Sequence, residues 1–168
     1  MVRFKAITRN ILGFYMYNGI YISIRWALNI PDYEGSPADW HPWGSGCTVS
    51  YEKIRYFGNG EAFNTNHIYE NYGIFNASDW LREHGHISHV RSVFASDRKR
   101  SILDSIWWYI TDIHSLMSMR CYINDFINSL EDANEVLSMT GLMRPYLSKD
   151  DNFELDRWID NEQRNFDF

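Results

Sequence analysis

Residues 97–129 read DRKRSILDSIWWYITDIHSLMSMRCYINDFINS, and this stretch decides the fold class of the chain. It lies within a longer segment, between Gly85 and Gly141, that contains neither glycine nor proline. Because both residue types interrupt helices, their absence over this length favours helix. Apolar residues recur at spacings of three and four, the period of a helix with one buried face; they are Ile102, Ile106, Ile110, Ile113 and Met117.

The apolar pattern continues to the end of this stretch. Residues 97–129 are therefore predicted to form one long helix, or two helices separated near His114 and Ser115. Ser96 or Asp97 can cap the start, since a short oxygen side chain accepts hydrogen bonds from the unpaired N–H groups of a first helical turn.

Two further helices are predicted towards the C-terminus. Ser129 is a suitable cap for a helix over 130–140, which we expect Gly141 to close in the left-handed conformation. Pro145 interrupts the helical pattern, and Ser148 then begins a final helix with acidic residues in its first turn, where the helix dipole favours them.

The N-terminal half is less regular. Three short helices are predicted at 49–57, 66–72 and 78–84, each followed by a glycine. Residues 14–30 fit a hairpin, because apolar residues alternate after an Asn-Gly turn, and they also fit a helix. The predicted fold class is mainly α, a single-domain helical bundle over 1–168. Its parts are an irregular, hairpin- or helix-containing segment at 1–46, the central helix region at 97–129 and acidic helices at 131–168.

The negative charge is concentrated at the C-terminal end. Of the 22 acids and 16 bases in the chain, ten acids and four bases lie in 131–168, so that residues 1–130 are neutral and the net charge is −6. Acidic segments repel nucleic acid, whose binding needs Lys and Arg at phosphates, and they suit a partner with a basic surface. We predict that Asp150, Asp151 and Glu154 contact such a partner.

Aromatic residues make up 17% of the chain, more than one core is expected to need. A Pro- and Gly-rich loop within 31–46 carries four candidate partner-binding residues, because Trp and Tyr are frequent in binding hot spots. The helix region adds Trp108, which cannot share the centre of one helix face with Trp107. The loop residues are Tyr33, Trp40, His41 and Trp43.

Three histidines follow the last of the short helices, at His84, His86 and His89. Their HxHxxH spacing can direct several imidazoles at one metal ion. The string resembles the HxHxDH motif of the metallo-β-lactamase-like hydrolases, although Ser88 occupies the position of the family's aspartate. The resemblance implies a zinc-dependent hydrolase with these histidines as ligands.

Residues 17–31 are similar to the first two helices of a helix-turn-helix, which implies DNA binding. Pro31 and Pro42 prevent the segment between them from forming the recognition helix that should follow. DNA binding is therefore the second alternative, after the zinc hydrolase, and we expect nucleic acid not to be the partner.

The leading functional hypothesis is a small acidic protein-interaction module. Cys47 and Cys121 lack metal-ligand spacing, and no segment is long and apolar enough to span a bilayer, so we expect a cytoplasmic protein without a cofactor. The partner is predicted to be a protein with a basic or apolar surface. Chains of this kind are typical of phage or mobile-element accessory proteins that inhibit or modulate a host protein. The oligomeric state is left open by the sequence.

Overall fold

The structure is a computed structural model that describes residues 19–24, 27, 30–31, 56–58, 65–84, 92–119, 123, 127 and 129–166. Helices account for most of these residues, so the predicted helical class is confirmed. The elements in chain order are β1 (Tyr21–Ile22), β2 (Tyr56–Phe57), α1 (Asn66–Tyr69), β3 (Ile74–Asn76), α2 (Ser78–Glu83), β4 (Phe94–Ser96), α3 (Arg98–Trp108), a π-helix (Tyr109–Ile113), a 3-10 helix (Leu116–Met119), α4 (Leu130–Thr140), a second 3-10 helix (Gly141–Tyr146) and α5 (Lys149–Phe166).

The main core lies between α3, α4 and α5. The predicted cap of α3 is Asp97, whose side chain accepts a hydrogen bond from the Arg100 N–H at 2.8 Å. The buried face of α3 meets apolar side chains of the two later helices, and burial of such side chains is the main stabilising term in folding. The core residues from these three helices include Ile102, Leu103, Ile106, Trp107, Ala133, Val136, Met139, Leu155 and Trp158.

The helical stretch that begins at Arg98 ends at His114, so the break lies where the two-helix alternative placed it. Of the second predicted helix, the structure describes a 3-10 helix at Leu116–Met119. The π-helix closes with His114 in the left-handed conformation (φ 55°). Ile113 and Met117 are 44% and 51% exposed, so the predicted apolar stripe is buried only as far as Ile110. A π-helix adds a residue to the turn, which rotates the following side chains away from the core face.

Within the described residues, four short strands form a sheet in the order β2-β1-β4-β3 that the sequence did not reveal. β1 pairs antiparallel with β2 and parallel with β4, and β3 pairs antiparallel with β4. The prediction of a helix reaching residue 57 is wrong, because Tyr56–Phe57 is a strand. Segments of two or three residues are too short to show the alternation by which strands are predicted.

Residues 14–30 are described only in part. Tyr21–Ile22 is a strand, but its partners are distant in sequence and do not form the predicted hairpin. The expected alternation also fails there, since Tyr21, Ile22 and Ile24 are all buried. Ile24 has a positive φ of 56°, which turns the chain after the strand.

The predicted N-terminal caps of α4 and α5 are confirmed, and the predicted end of α4 is corrected. Ser129 and Ser148 accept hydrogen bonds from the backbone N–H groups of Asp132 and Asp151 at 3.3 and 3.1 Å. Gly141 is right-handed (φ −57°), so the predicted left-handed closure is wrong. The chain continues into a 3-10 helix that buries Met143. None of the helices in the described part has the length and apolar run needed to cross a bilayer.

Gly73→Ala should destabilise the fold, because Gly73 has φ +67° and an added Cβ would lie 2.6 Å from Asp97 Oδ1 and 2.7 Å from Arg100 Cβ. We expect a loss of about 2–4 kcal/mol in the free energy of unfolding, measured by urea denaturation. Gly141→Ala is the matched control. Its Cβ would meet no atom within 4 Å, and we expect a gain of about 0.5 kcal/mol. Equal midpoints for the two variants would contradict this assignment.

Candidate functional site

The most unusual chemistry among the described residues is a buried ionic cluster on α3. Arg100 and Asp104 lie one turn apart, both side chains are 0% exposed, and Arg100 Nε lies 2.9 Å from Asp104 Oδ1. Burying a charge is unfavourable unless it is paired and hydrogen-bonded. The cluster must therefore satisfy both side chains completely.

All five N–H donors of Arg100 have acceptors. Nε binds Asp104, Nη1 donates to the carbonyl oxygens of Glu70 and Tyr72, and Nη2 donates to Tyr21 Oη and Asn66 Oδ1. These distances run from 2.8 Å to Asn66 to 3.2 Å to Glu70. Because Glu70 has a positive φ of 51°, Arg100 also supports a strained turn before β3.

The carboxylate of Asp104 accepts four hydrogen bonds. Oδ1 accepts from Arg100 Nε and Thr65 Oγ1, and Oδ2 accepts from Tyr21 Oη and Ser23 Oγ. Four donors fill the acceptor positions of a carboxylate. Asp104 therefore holds three distant segments together, and this bonding leaves no acceptor position at which it could take a proton from a substrate.

The surroundings of the cluster raise the pKa values of Tyr21 and Arg100. Burial raises the pKa of Tyr21, and the negative charge of Asp104 raises it further, so the phenol remains a hydrogen-bond donor. Burial opposes the charge of Arg100, but the charge of Asp104 raises the pKa of the guanidinium above its ordinary value. At neutral pH Tyr21 is therefore a neutral phenol and Arg100 is charged.

The helical spacing of residues in α3 indicates that this cluster is buried, whereas the run of basic residues by itself suggests an exposed helix end. Arg100 belongs to the basic run Arg98-Lys99-Arg100, which is typical of solvated helix ends. However, Leu103, Asp104 and Trp107 follow it at intervals of three, four and seven, so both charges lie on the buried face.

Lys99 joins α3 to α4. Its Nζ lies 2.6 Å from Glu135 Oε2 and also contacts Asp132 Oδ1, while Tyr72 Oη donates to Glu135 Oε1 at 3.0 Å. Burial opposes the charge of Lys99, but hydrogen bonds to the two carboxylates raise its pKa. Two acids of the C-terminal segment are therefore engaged within the protein.

Several acids of α5 also turn inward. Asp151 Oδ1 lies 3.3 Å from His114 Nδ1, and Glu154 Oε1 accepts a hydrogen bond from the Leu116 N–H at 3.1 Å. Glu162 is fully buried and accepts a hydrogen bond from the Ile123 N–H at 2.8 Å. Of the predicted partner-binding acids, Asp151 and Glu154 thus hold α5 to the turn after the π-helix, and Asp150 is exposed.

The exposed charges of α5 include both signs. Asp156 pairs with Arg144 at 2.6 Å, and Glu154 pairs with Arg157 at 3.2 Å. Lys149 and the remaining exposed carboxylates alternate with these pairs along the helix. The outer face is therefore of mixed charge, although the segment as a whole is acidic.

Exposed apolar side chains collect around the N-terminal half of α5. Seven large apolar residues are exposed in the described part of the chain, and five of them lie on α5, on the segment before it or on the turn that contacts its first residues. We call these five the apolar belt; they are Ile113, Met117, Leu142, Tyr146 and Phe153.

The faces of α5 explain this arrangement. Leu155 and Trp158 face the core, Asp151 and Glu154 bind residues 114–116 on one flank, and Asn152 donates to the carbonyls of Arg144 and Leu147 on the other. At 100° per residue, position 153 points away from the core, between these flanks. Phe153 accordingly is 66% exposed.

Four of the five residues predicted to form the aromatic site lie outside the described residues. They are Tyr33, Trp40, His41 and Trp43. Trp108 is described. It is half-buried, and its Nε1 donates to Asp112 Oδ2 at 3.1 Å, while the adjacent Trp107 is in the core.

The histidine run is described only at His84. Its ring stacks on Trp80 with centroids 4.3 Å apart, and its Nδ1 lies 2.8 Å from the Trp80 carbonyl oxygen. His86 and His89 lie outside the described residues. Among the residues that are described, no three His, Cys, Asp or Glu side chains group as metal ligands would. The zinc site stays a prediction, as does the helix-turn-helix.

Comparisons of the chain with protein-family models, with curated proteins and with solved structures find no match.

Removing one charge of the ionic cluster should be far more damaging than removing both. Arg100→Met leaves a buried carboxylate without its counter-ion, and we expect the free energy of unfolding to fall by about 3–5 kcal/mol. The double variant Arg100→Met/Asp104→Leu should recover part of this loss in urea denaturation, because no charge stays buried. Arg82→Met, at the exposed Arg82–Asp79 pair, should change stability by no more than about 0.5 kcal/mol. Additive losses in the double variant would refute the pairing.

Asp151 should stabilise the protein in a pH-dependent way. Burial opposes its charge, but hydrogen bonds from Ser148 and His114 and the charge of His114 lower the pKa of Asp151 below its ordinary value. A depressed native pKa stabilises the fold above the unfolded-state pKa, and this contribution is lost as the pH falls through the native value. The Tm difference between wild type and Asp151→Asn should therefore shrink from pH 7 to about pH 3.

The control for this titration is Asp79→Asn, at a carboxylate that is 88% exposed on α2. Its Tm difference at pH 7 should be smaller than that of Asp151→Asn. A difference for Asp151→Asn that is the same at pH 7 and pH 3 would contradict the role of its charge.

Proposed function

We propose that this chain is a protein-interaction module that binds another polypeptide through the apolar belt around α5. The observation that carries the proposal is Phe153, a large aromatic side chain that is 66% exposed on a helix whose opposite face is core. Exposed apolar surface is unfavourable in water, and gathered patches of it are typical of binding sites.

The size of the effect favours binding as the role of this ring. Burying a phenylalanine side chain contributes roughly 2 kcal/mol, which corresponds to about a thirtyfold change in Kd. Four further exposed apolar residues lie on the segments that bind the two flanks of α5: Ile113 and Met117 beside residues 114–116, and Leu142 and Tyr146 in the segment before α5. A partner that covered Phe153 would meet these side chains around it.

The charges around the belt point to an apolar partner surface with a polar rim. The exposed charges of α5 are three bases and three acids, so this face has no excess of negative charge to attract a strongly basic partner; they are Lys149, Arg157, Arg164, Asp150, Asp156 and Asp160. The same mixture disfavours nucleic acid, whose binding depends on an excess of Lys and Arg. Of the two partner surfaces expected from sequence, we therefore propose the apolar one.

The architecture of the module and the origin of its partner are also part of the proposal. A single-domain helical bundle is the architecture that we propose for the module, on the support of the shared core of α3, α4 and α5. We also propose, as the sequence suggested, that this chain is a phage or mobile-element accessory protein. Its partner would then be a host protein that it inhibits or modulates.

Phe153→Ser should weaken partner binding at least about tenfold, because it removes the central apolar side chain of the belt without disturbing the core. The measurement is affinity capture with the tagged full-length chain, quantified by mass spectrometry, together with amine cross-linking from the exposed Lys149 at the start of α5. The expected result is one polypeptide that is cross-linked to Lys149 and is lost with Phe153→Ser.

The matched control is Leu130→Ser, since Leu130 is 58% exposed at the start of α4 and lies outside the belt. It should leave capture unchanged. Circular dichroism of both variants verifies that each is folded. Equal capture by wild type and Phe153→Ser, with both folded, would refute the belt as the binding surface.

A further inference from the structure

The outer face of α5 carries charges in a self-complementary order. Asp150 and Arg157 are both exposed and lie seven positions apart, which is nearly two full turns. They therefore occupy one stripe of the helix about 10 Å apart, with Phe153 between them along the axis. In the described part of the chain, Asp150 has no ion-pair partner, and Arg157 contacts only Glu154 through an exposed pair.

We propose that the occupant of the apolar belt is a second copy of this chain, bound through antiparallel packing of the two α5 helices about a two-fold axis beside Phe153. This inference rests on the proposed function, that the belt binds a polypeptide. It adds the identity of that polypeptide and the orientation in which it binds.

The two-fold operation pairs opposite charges. In an antiparallel helix pair, positions equidistant from the axis on either side face each other, so an axis midway between positions 150 and 157 places Asp150 against Arg157 of the partner subunit. Symmetry repeats this contact, as it does in every isologous interface. The axis passes between positions 153 and 154, so the two Phe153 rings meet at the centre.

A second pair lies close to the same symmetry. Lys149 and Asp160 are exposed, and the midpoint between them lies between positions 154 and 155, one residue from the first axis, so Lys149 faces a position two residues before Asp160 on the partner helix. Antiparallel packing thus brings Lys149 towards Asp160 of the partner subunit. Asp156 already contacts Arg144 within its own chain, so its charge is compensated. Four intermolecular charge pairs then surround the central rings.

The flanking segments supply the area that two helices alone would lack. A stable interface buries about 800 Å² on each partner. Ile113 and Met117 on one side of α5, and Leu142 and Tyr146 on the other, can each contact the second copy at the edges of the helix pair. The belt then forms an apolar centre and the charge pairs form its rim, the usual anatomy of a protein interface.

The test is the monomer–dimer equilibrium of the untagged full-length chain, measured by sedimentation equilibrium. Wild type should dimerise, and Phe153→Ser should raise the dimer dissociation constant at least about tenfold. Asp150→Arg alone and Arg157→Asp alone should each do the same, because like charges then face each other twice in the dimer. Leu130→Ser and Arg82→Asp, away from the belt, should leave the equilibrium unchanged.

Mixing the two charge variants decides the orientation. In a heterodimer of Asp150→Arg with Arg157→Asp, both contacts regain opposite charges, so the equimolar mixture should dimerise although neither variant does so alone. A mixture that remains monomeric overturns the antiparallel arrangement. A dimer that is insensitive to Phe153→Ser overturns the assigned surface.

A wild-type chain that stays monomeric at about 100 μM overturns the inference that a second copy is the partner. In that event, Phe153-dependent capture of a different polypeptide still upholds the proposed function. Loss of both the dimer and Phe153-dependent capture refutes the proposed function too, so the two failures are distinguishable.

Discussion

The ion pair between Arg100 and Asp104 is the constraint on which the described fold depends. Burying either charge away from water is unfavourable unless all of its hydrogen-bond donors or acceptors have partners. Here these partners come from β1, α1 and the turn before β3. The pair therefore does more than join two positions of α3. It specifies where segments as distant as Tyr21 and Thr65 must lie, since displacing either would remove a hydrogen-bond donor from a buried carboxylate oxygen.

From this anchor the helices follow by apolar packing, and the π-helix determines which side chains leave the core face before Leu116 and Met119 enter the core again. α3 buries its face against α4 and α5 until Ile110, beyond which the added residue turns the chain outward and His114 ends the helix. α5 is held to this turn by Asp151 and Glu154, so the apolar residues that the turn exposes lie beside those of α5. The belt is thus a consequence of how the core ends.

The candidate surface could be predicted from the sequence only in outline. The concentration of charge in 131–168 is visible in the residue order, and six of its ten acids lie on α5. The direction of each carboxylate is not visible there, because it depends on which flank of the helix meets the turn at 114–116. Asp151 and Glu154 make internal contacts, whereas Phe153, which no motif marks, is 66% exposed.

The sequence by itself determined the helical class and the starts of α3, α4 and α5, because a capping side chain such as Asp97 or Ser148 acts on N–H groups two or three residues away. Only the tertiary structure decided which distant residues satisfy Arg100, that strands of two or three residues form a sheet, and that the apolar stripe ends at Ile110. These features depend on contacts between residues tens of positions apart, and no local pattern of residues encodes such a contact.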